Sequence, residues 1–307
     1  SAPPQPVAPA PVAPPPPAPA PSAPPQPVAP APAPPVVEAV PPRPRTPAPE
    51  PEHVPPRGPA TYTGVEAGAP GRSLFCYALM IPHSYEQTLL AAQHQRRVSL
   101  FACDEYALYS NEALEVAPGL WTNVVDSDLK CRYGGEFKTA LNTPIFLTVW
   151  RKVISERRYL YHDWTVKTDP DAVFLPARLR VQLLPLREGP TGVYLNNCKF
   201  GMHGPLEVFS RNAVTTWGRG IERCTAHFNA LCSGPCQWGE DMFIDQCLMK
   251  VLFVRRINDF QVLQEDHCDP PYGWKSCRNN SIAAFHPFKD LAGYLACLSN
   301  AQAAGMA

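Results

Sequence analysis

About two thirds of the 40 prolines fall before Ala60, in a tract of Pro, Ala, Val and Gln with almost no aromatic residue. Such a tract has no apolar face to bury and populates extended polyproline II conformations, so residues 1–71 are predicted to form a disordered, stiff spacer or stem. It repeats itself imperfectly, with APPQPVAPAP at Ala2 and again at Ala23; docking of a proline-reading module is the second use open to it. The tract gains charge between Arg43 and Arg57 and then gives way to Gly64, Gly68 and Gly71, a flexible junction. Residues 72–307 remain, roughly 235 residues, enough for one α/β domain with a substantial core.

The formal net charge is zero. Basic residues are scattered in pairs such as Arg96-Arg97, Arg157-Arg158 and Arg255-Arg256, which makes no footprint for a nucleic acid. No run of about 18 apolar residues occurs, so nothing in the chain as given reads as a membrane span. All 11 cysteines lie in the second part, with Cys224, Cys232 and Cys236 close together and Cys268 near Cys277. Asn279-Asn280-Ser281 is an N-glycosylation sequon. Together these favour an oxidising location, the ER or Golgi lumen or the cell exterior, and several disulfides, over buried thiols in a reduced protein. An odd count leaves at least one cysteine free or paired between chains. The chain begins at Ser1 without a methionine, so a fragment is expected, with an anchor or signal peptide preceding it.

Alternation organises the second part. Ser73 to Ile81 and Val98 to Cys103 are apolar runs of strand length around a helix at Tyr85 to Arg97, a β-α-β unit whose second strand is expected to end in Asp104-Glu105. Trp121 to Val125 is a third strand, ending in Asp126-Ser127-Asp128. Thr143 to Arg157 carries Phe146, Val149, Trp150, Val153 and Ile154 at helical spacing. It leads into the strand Trp164 to Lys167. A basic helix follows at Ala177 to Leu184, then strands at Val193 to Leu195 and Leu206 to Phe209. Ser210 is placed to cap a helix from Arg211 to Cys224. Further segments are a helix from Glu240 to Leu252, strand pieces at Phe260 to Leu263 and Ile282 to Phe285, and a last helix from about Lys289 to Leu298. This order predicts a mixed, mostly parallel sheet with helices on both faces.

Three stretches carry chemistry. In YHDWTVKTDPDAVFLP, Tyr161 to Pro176, Asp169 and Asp171 stand at i and i+2 of an extended backbone, so both carboxylates project to one side and can share a hard divalent cation. Asp126 and Asp128 repeat the pattern, but after a shorter strand and without Lys167 before them or an apolar segment behind. In WGEDMF, Trp238 to Phe243, a glycine loop opens a helix with Glu240 and Asp241 in its first turn. That is an ordinary acidic helix start, or a place for a general base, Asp241, beside an acceptor hydroxyl. In FHPFK, Phe285 to Lys289, His286 can complete an oxygen-rich site for a transition metal and Lys289 can reach a phosphate.

Taken in this order, TDPDAVF, WGEDMF and FHPFK resemble the motifs of nucleotide-sugar-dependent glycosyltransferases of the GT-A fold. The resemblance covers most of Ser73 to Leu298, and its specific parts are D-x-D and x-E-D. It implies a Rossmann-like catalytic domain that takes a UDP- or GDP-linked hexose or pentose and transfers it to a glycan or protein hydroxyl. It implies further that Asp169, Asp171 and His286 hold Mn²⁺ or Mg²⁺, that Asp169, Asp171 and Lys289 face the diphosphate, that Asp241 is the base if the enzyme inverts configuration and positions the donor if it retains it, and that Glu240 orients the acceptor. Asp104 or Glu105 would lie near the nucleotide base. The proline tract then resembles the stem of Golgi glycosyltransferases. Two departures stand out: the tail lacks the longer H-x-G-x-x-K pattern, and the E-D loop carries two extra cysteines.

Two other readings compete. One is a non-catalytic, disulfide-rich module that binds glycans or proteins on a proline stalk. The other is a zinc site from His267, Cys268 and Cys277, although the spacing matches no zinc pattern closely, and a disulfide between Cys268 and Cys277 closing the PPYGW loop accounts for the same residues more simply.

Overall fold

The computed structural model describes residues 72–135 and 138–305; the spacer expected over 1–71 lies outside the described residues. The chain runs β1 (Leu74–Leu79), α1 (Tyr85–Arg96), β2 (Glu105–Ser110), β3 (Glu115–Ala117), β4 (Leu120–Trp121), β5 (Asn123–Val124), β6 (Tyr133–Gly134), β7 (Thr139–Ala140) and α2 (Thr143–Glu156). It continues through β8 (Trp164–Thr168), β9 (Val173–Phe174), α3 (Pro176–Leu183), β10 (Val193–Asn196), β11 (Leu206–Ser210), α4 (Arg211–Leu231) and α5 (Glu240–Gln246). Last come β12 (Arg255–Asn258), β13 (Leu263–Glu265), β14 (Ala284–His286) and α6 (Leu291–Ala304).

Seven strands make the main sheet, in the order β12-β10-β11-β8-β1-β2-β5. β11 runs antiparallel to both neighbours, and the other pairings are parallel. This is the mixed, mostly parallel sheet that the alternation of elements predicts. Its faces are covered separately, which explains why β1 reads as an unbroken apolar run: Phe75 and Tyr77 join the core under α2, α4 and α5, while Leu74, Cys76 and Ala78 join the core under α1 and α3. Trp150 of α2 meets Tyr77, Phe209 and Trp217 edge-on, and so ties one helix layer to the sheet. A second sheet, β13-β14-β9, stands beside the first.

Several expectations are corrected. Val98 to Cys103 is not a strand: Ser99–Ala102 forms a buried 3₁₀ turn entered through Ser99 at φ 55°, and a short apolar run does not distinguish the two. β2 follows it, so Asp104-Glu105 opens that strand instead of ending it. Ser210 does not cap α4; its hydroxyl accepts from Val193 N–H at 2.9 Å, because β10 lies alongside. That helix continues past Cys224 to Leu231. The helix opened by Glu240 changes to a π-helical turn over Cys247–Val251. β12 has an exposed, polar surface and lies at the sheet edge, so it leaves no apolar signature.

Five disulfides form: Cys76–Cys103, Cys198–Cys268, Cys224–Cys247, Cys232–Cys236 and Cys277–Cys297. Cys131 is free and exposed. Cys268 and Cys277 therefore have different partners, which corrects both the expected Cys268–Cys277 bridge and the zinc site built on those thiols. Among the described residues no helix is long and apolar enough to cross a membrane.

The start of β10 depends on a glycine. Gly192 has φ +86°, and a Cβ there would collide with the Ala213 backbone at the start of α4. Gly192→Ala is expected to lose about 2 kcal/mol or more, combining left-handed strain with a backbone clash, and urea unfolding measures it.

Candidate functional site

β8 is buried along its whole length and delivers the acidic turn at the carboxyl end of the parallel strands. The turn is held from three sides. Asp169 N–H donates to Pro205 O at 3.1 Å and Ala172 N–H to Asp169 O at 3.1 Å. Gln93 of α1 donates to Pro170 O at 2.7 Å. Beyond the turn, β9 pairs antiparallel with β14, placing Phe285 opposite Val173, and Phe288 N–H donates back to Asp171 O at 2.9 Å. The second sheet thereby carries His286 to the turn: ligand atoms of Asp169, Asp171 and His286 all lie within 4.8 Å of one another.

Asp171 is 5% exposed. Its Oδ1 lies 3.3 Å from His286 Nε2, and its Oδ2 accepts from the Tyr85 hydroxyl at 3.0 Å. Burial alone would raise the Asp171 carboxyl, but the hydrogen bonds from His286 and Tyr85 and the charge of Lys289 hold it below the usual carboxylate range. For His286 burial pulls the other way, and the carboxylates of Asp171 and Glu265 push its pKa up to about 9. Lys289 is exposed, and its charge is felt by both Asp171 and Glu86. Burial, with repulsion from Asp169 and Asp171, pushes the Glu86 carboxyl up to about 7, against a hydrogen bond from Ile81 N–H.

The E-D loop reaches the same end. Asn142, ahead of α2, accepts from Glu240 N–H at 2.9 Å instead of capping its own helix, and Thr143 donates to Trp238 O at 3.1 Å. Asp241 accepts from Met242 N–H at 2.8 Å and, through Oδ2, from Gly204 N–H at 3.1 Å. Gly204 is also the link to the acidic turn: its carbonyl accepts from Lys167 Nζ at 2.7 Å, and Lys167 Nζ stands 3.0 Å from Asp169 Oδ1. A Cβ on Gly204 would approach Lys167 Nζ to 3.2 Å, so a larger residue there would make the lysine head give way by a few tenths of an ångström.

Beneath these groups lies a buried ion cluster. Lys167 Nζ is 3.6 Å from Glu207 Oε1 and 3.6 Å from Glu240 Oε2, and also sits 4.4 Å over the Phe146 ring. Burial raises both glutamate carboxyls and Lys167 opposes it; at Glu207 the charge of Glu240 adds to the rise, while at Glu240 Asp241 and Asp169 add to it and a hydrogen bond with Glu207 works against it. Lys167 is held charged by Asp169, Glu240 and Glu207 against its own burial.

Asp169, Asp171 and His286 are thus brought together, with Lys289 nearby and Asp241 joined to them through Gly204 and Lys167. Two expected groups lie elsewhere. Glu240, expected to orient an acceptor, is 3% exposed and belongs to the ion cluster under the site. Asp104 and Glu105, expected near the nucleotide base, open β2 at the opposite end of the sheet, where Asp104 pairs with Arg180 and Glu105 with Arg158 and His162. Asp126 and Asp128 are exposed turn residues. His267 is largely exposed and lies 3.3 Å from Glu265. Sequence reasoning missed Tyr85, Glu86, Glu207, Gly204 and His203, and noted Glu265 only as part of the ligand-dense stretch Glu265 to Asp269. Glu207 carried a signal too, a carboxylate in the middle of an apolar strand, LEVFS.

A divalent cation fits what is present. Two carboxylates and one imidazole form a hard N/O donor set suited to Mn²⁺ or Mg²⁺. The Asp169 side chain is 31% exposed, which leaves room for water or a ligand oxygen beside an ion.

No protein-family model matches the chain, and no curated protein matches it. Among solved structures it is similar to a glycosyltransferase involved in the glycosylation of the major capsid of PBCV-1, at a TM-score of 0.39 and 11% identity, over 76% of this chain and 100% of that one. It is also similar to the apo-form glycosyltransferase GlyE of Streptococcus pneumoniae TIGR4, at a TM-score of 0.35 and 12% identity, over 62% of this chain and 46% of that one. Likeness at this level leaves the chemistry of the site to its own residues.

Proposed function

We propose that the chain is a metal-dependent glycosyltransferase that moves a hexose or pentose from a UDP- or GDP-linked donor to a glycan or protein hydroxyl in the secretory pathway. The observation that carries this reading is the convergence of Asp169, Asp171 and His286 at the carboxyl end of a mixed sheet, with Asp241 tied to them through Gly204 and Lys167. Five disulfides support the oxidising location.

Asp169, Asp171 and His286 would hold Mn²⁺ or Mg²⁺, which supplies charge neutralisation for a departing nucleoside diphosphate. Lys289, exposed beside Asp171, adds positive charge where the diphosphate would lie. Asp241 sits at the first turn of α5 with its oxygens oriented by Gly204 and Met242 N–H groups, in position to accept a proton from an acceptor hydroxyl. Lys167 keeps the Asp169 carboxylate and the Gly204 peptide in register.

The test is a screen of nucleotide-sugar hydrolysis and transfer with Mn²⁺, paired with calorimetry of UDP and GDP. Turnover that disappears with chelator is expected. Absence of any nucleotide binding would favour the alternative, a glycan- or protein-binding module on a proline-rich stalk. A pH prediction accompanies it. His286 is raised to about 9 in the metal-free protein, and a ligand imidazole must be neutral, so proton and cation compete. Apparent Mn²⁺ affinity should rise nearly tenfold per unit between about pH 7 and pH 9, then level off. A flat titration series across that range would remove His286 from the ligand set.

A further inference from the structure

Glu265 has been named so far only as a carboxylate that raises the pKa of His286, and its placement goes further. In the parallel register of β13 and β14 it stands directly opposite His286, and it is 1% exposed. A carboxylate buried that deeply is costly unless it is paired, and here its partners are imidazoles. Its Oε1 lies 2.5 Å from His203 Nδ1, while its Oε2 faces His286 Nδ1 at 3.7 Å. His286 is therefore held between two carboxylates, with Nε2 toward Asp171 at 3.3 Å and Nδ1 toward Glu265. The Nδ1 atom is buried and has no hydrogen bond among the described residues, and Glu265 Oε2 at 3.7 Å is the acceptor that faces it.

The position of Glu265 is itself fixed. His203 is clamped by Asn197, whose side chain accepts from His203 N–H at 2.8 Å and donates to His203 O at 2.8 Å. The adjoining Cys198–Cys268 disulfide ties that loop to the residues after β13. With Oε1 occupied by His203, Oε2 is shared between the largely exposed His267, whose Nδ1 lies 3.3 Å away, and the buried face of His286 at 3.7 Å.

A neutral imidazole carries one N–H and one lone pair. Only the tautomer with its proton on Nδ1 turns the Nε2 lone pair toward Asp169 and Asp171, and an acceptor beyond Nδ1 selects it. We propose that Glu265 is the positioning residue for His286, drawing the ring proton to Nδ1 and so presenting Nε2 to a divalent cation shared with Asp169 and Asp171. The inference rests on the metal reading of the site. Glu265 touches neither cation nor substrate and acts only through the histidine.

Calorimetric titration of Mn²⁺ alone into the full chain tests it, for wild type and Glu265→Gln, at one fixed pH above about 9, where a competing proton on His286 no longer distinguishes the two chains. The amide keeps the size but drops the charge and offers the ring no anionic acceptor, so Mn²⁺ binding should weaken about 10- to 100-fold, with the circular dichroism spectrum unchanged. Equal affinity within about twofold would overturn the proposal, since outer-shell losses exceed that. Should Glu265→Gln fail to fold, ¹⁵N NMR of the imidazoles in the Mg²⁺-loaded wild type decides, using His286→Gln for assignment. A His286 proton on Nδ1 supports the proposal; a proton on Nε2 overturns it. Failure of wild type to bind either cation would remove the metal reading and the inference with it, an outcome distinct from equal binding by both chains.

Discussion

Asp171→Asn should reduce Mn²⁺-dependent turnover on the order of 10³-fold or more, because a cation at such a site contributes several kcal/mol and each 1.4 kcal/mol is a factor of ten. Asparagine has nearly the same shape, and the Asp171 carbonyl keeps its bond from Phe288 N–H, so the turn itself should survive. What disappears is the anionic partner of His286 Nε2 and Tyr85. Mn²⁺ binding should fall with turnover while the circular dichroism spectrum stays that of the wild type, and the melting temperature should drop because the buried pair with His286 is broken from one side. Asp128→Asn is the control: that residue has the same D-x-D spacing but is exposed and lies outside the ligand cluster, and its replacement should change neither quantity. Equal Mn²⁺ affinity in the Asp171 variant and the wild type would end the metal reading.

Lys167→Met should have the largest effect on stability. It removes the cation shared by Asp169, Glu207 and Glu240, and breaking a buried ion cluster from one side costs about 3–5 kcal/mol because the remaining charges are left uncompensated. For a domain of this size that lowers the melting temperature by roughly 10 °C. Two features separate this from lost packing. Adding Glu207→Gln should recover part of the loss, since it removes one of the stranded charges. The deficit should also shrink on acidification: the Glu207 and Glu240 carboxyls are raised above their ordinary values, so they take up protons early as pH falls and no longer need a counter-charge. A deficit independent of both would assign Lys167 a packing role only.

The legibility of this chain differed between residues for identifiable reasons. β1 and β8 were plain in the sequence as runs of strand length that are buried on both faces, α1 by its helical composition, and α2 by apolar residues at helical spacing. VSLFAC misled because a short run with three buried residues in a 3₁₀ turn has the same apolar content as one in a strand. That misplacement carried Asp104-Glu105 to the wrong end of the sheet. β12 was invisible because an exposed edge strand has no hydrophobic pattern. Glu240 was read for its carboxylate alone, while its burial depends on Asn142 and Lys167, both remote in sequence.

The sequence by itself determined the composition boundary after the proline-rich tract, the α/β alternation, and the three stretches that hold Asp169, Asp171, Asp241 and His286. These follow from composition, period and local spacing, which are properties of neighbouring residues. Tertiary structure decided which carboxylates share a site. The second sheet brings His286 to the acidic turn and sets Glu265 behind it, and the Gly204 peptide joins Asp241 to Lys167. Those contacts depend on strand register and on a glycine's close approach, set by packing across more than a hundred residues, and no local pattern encodes them.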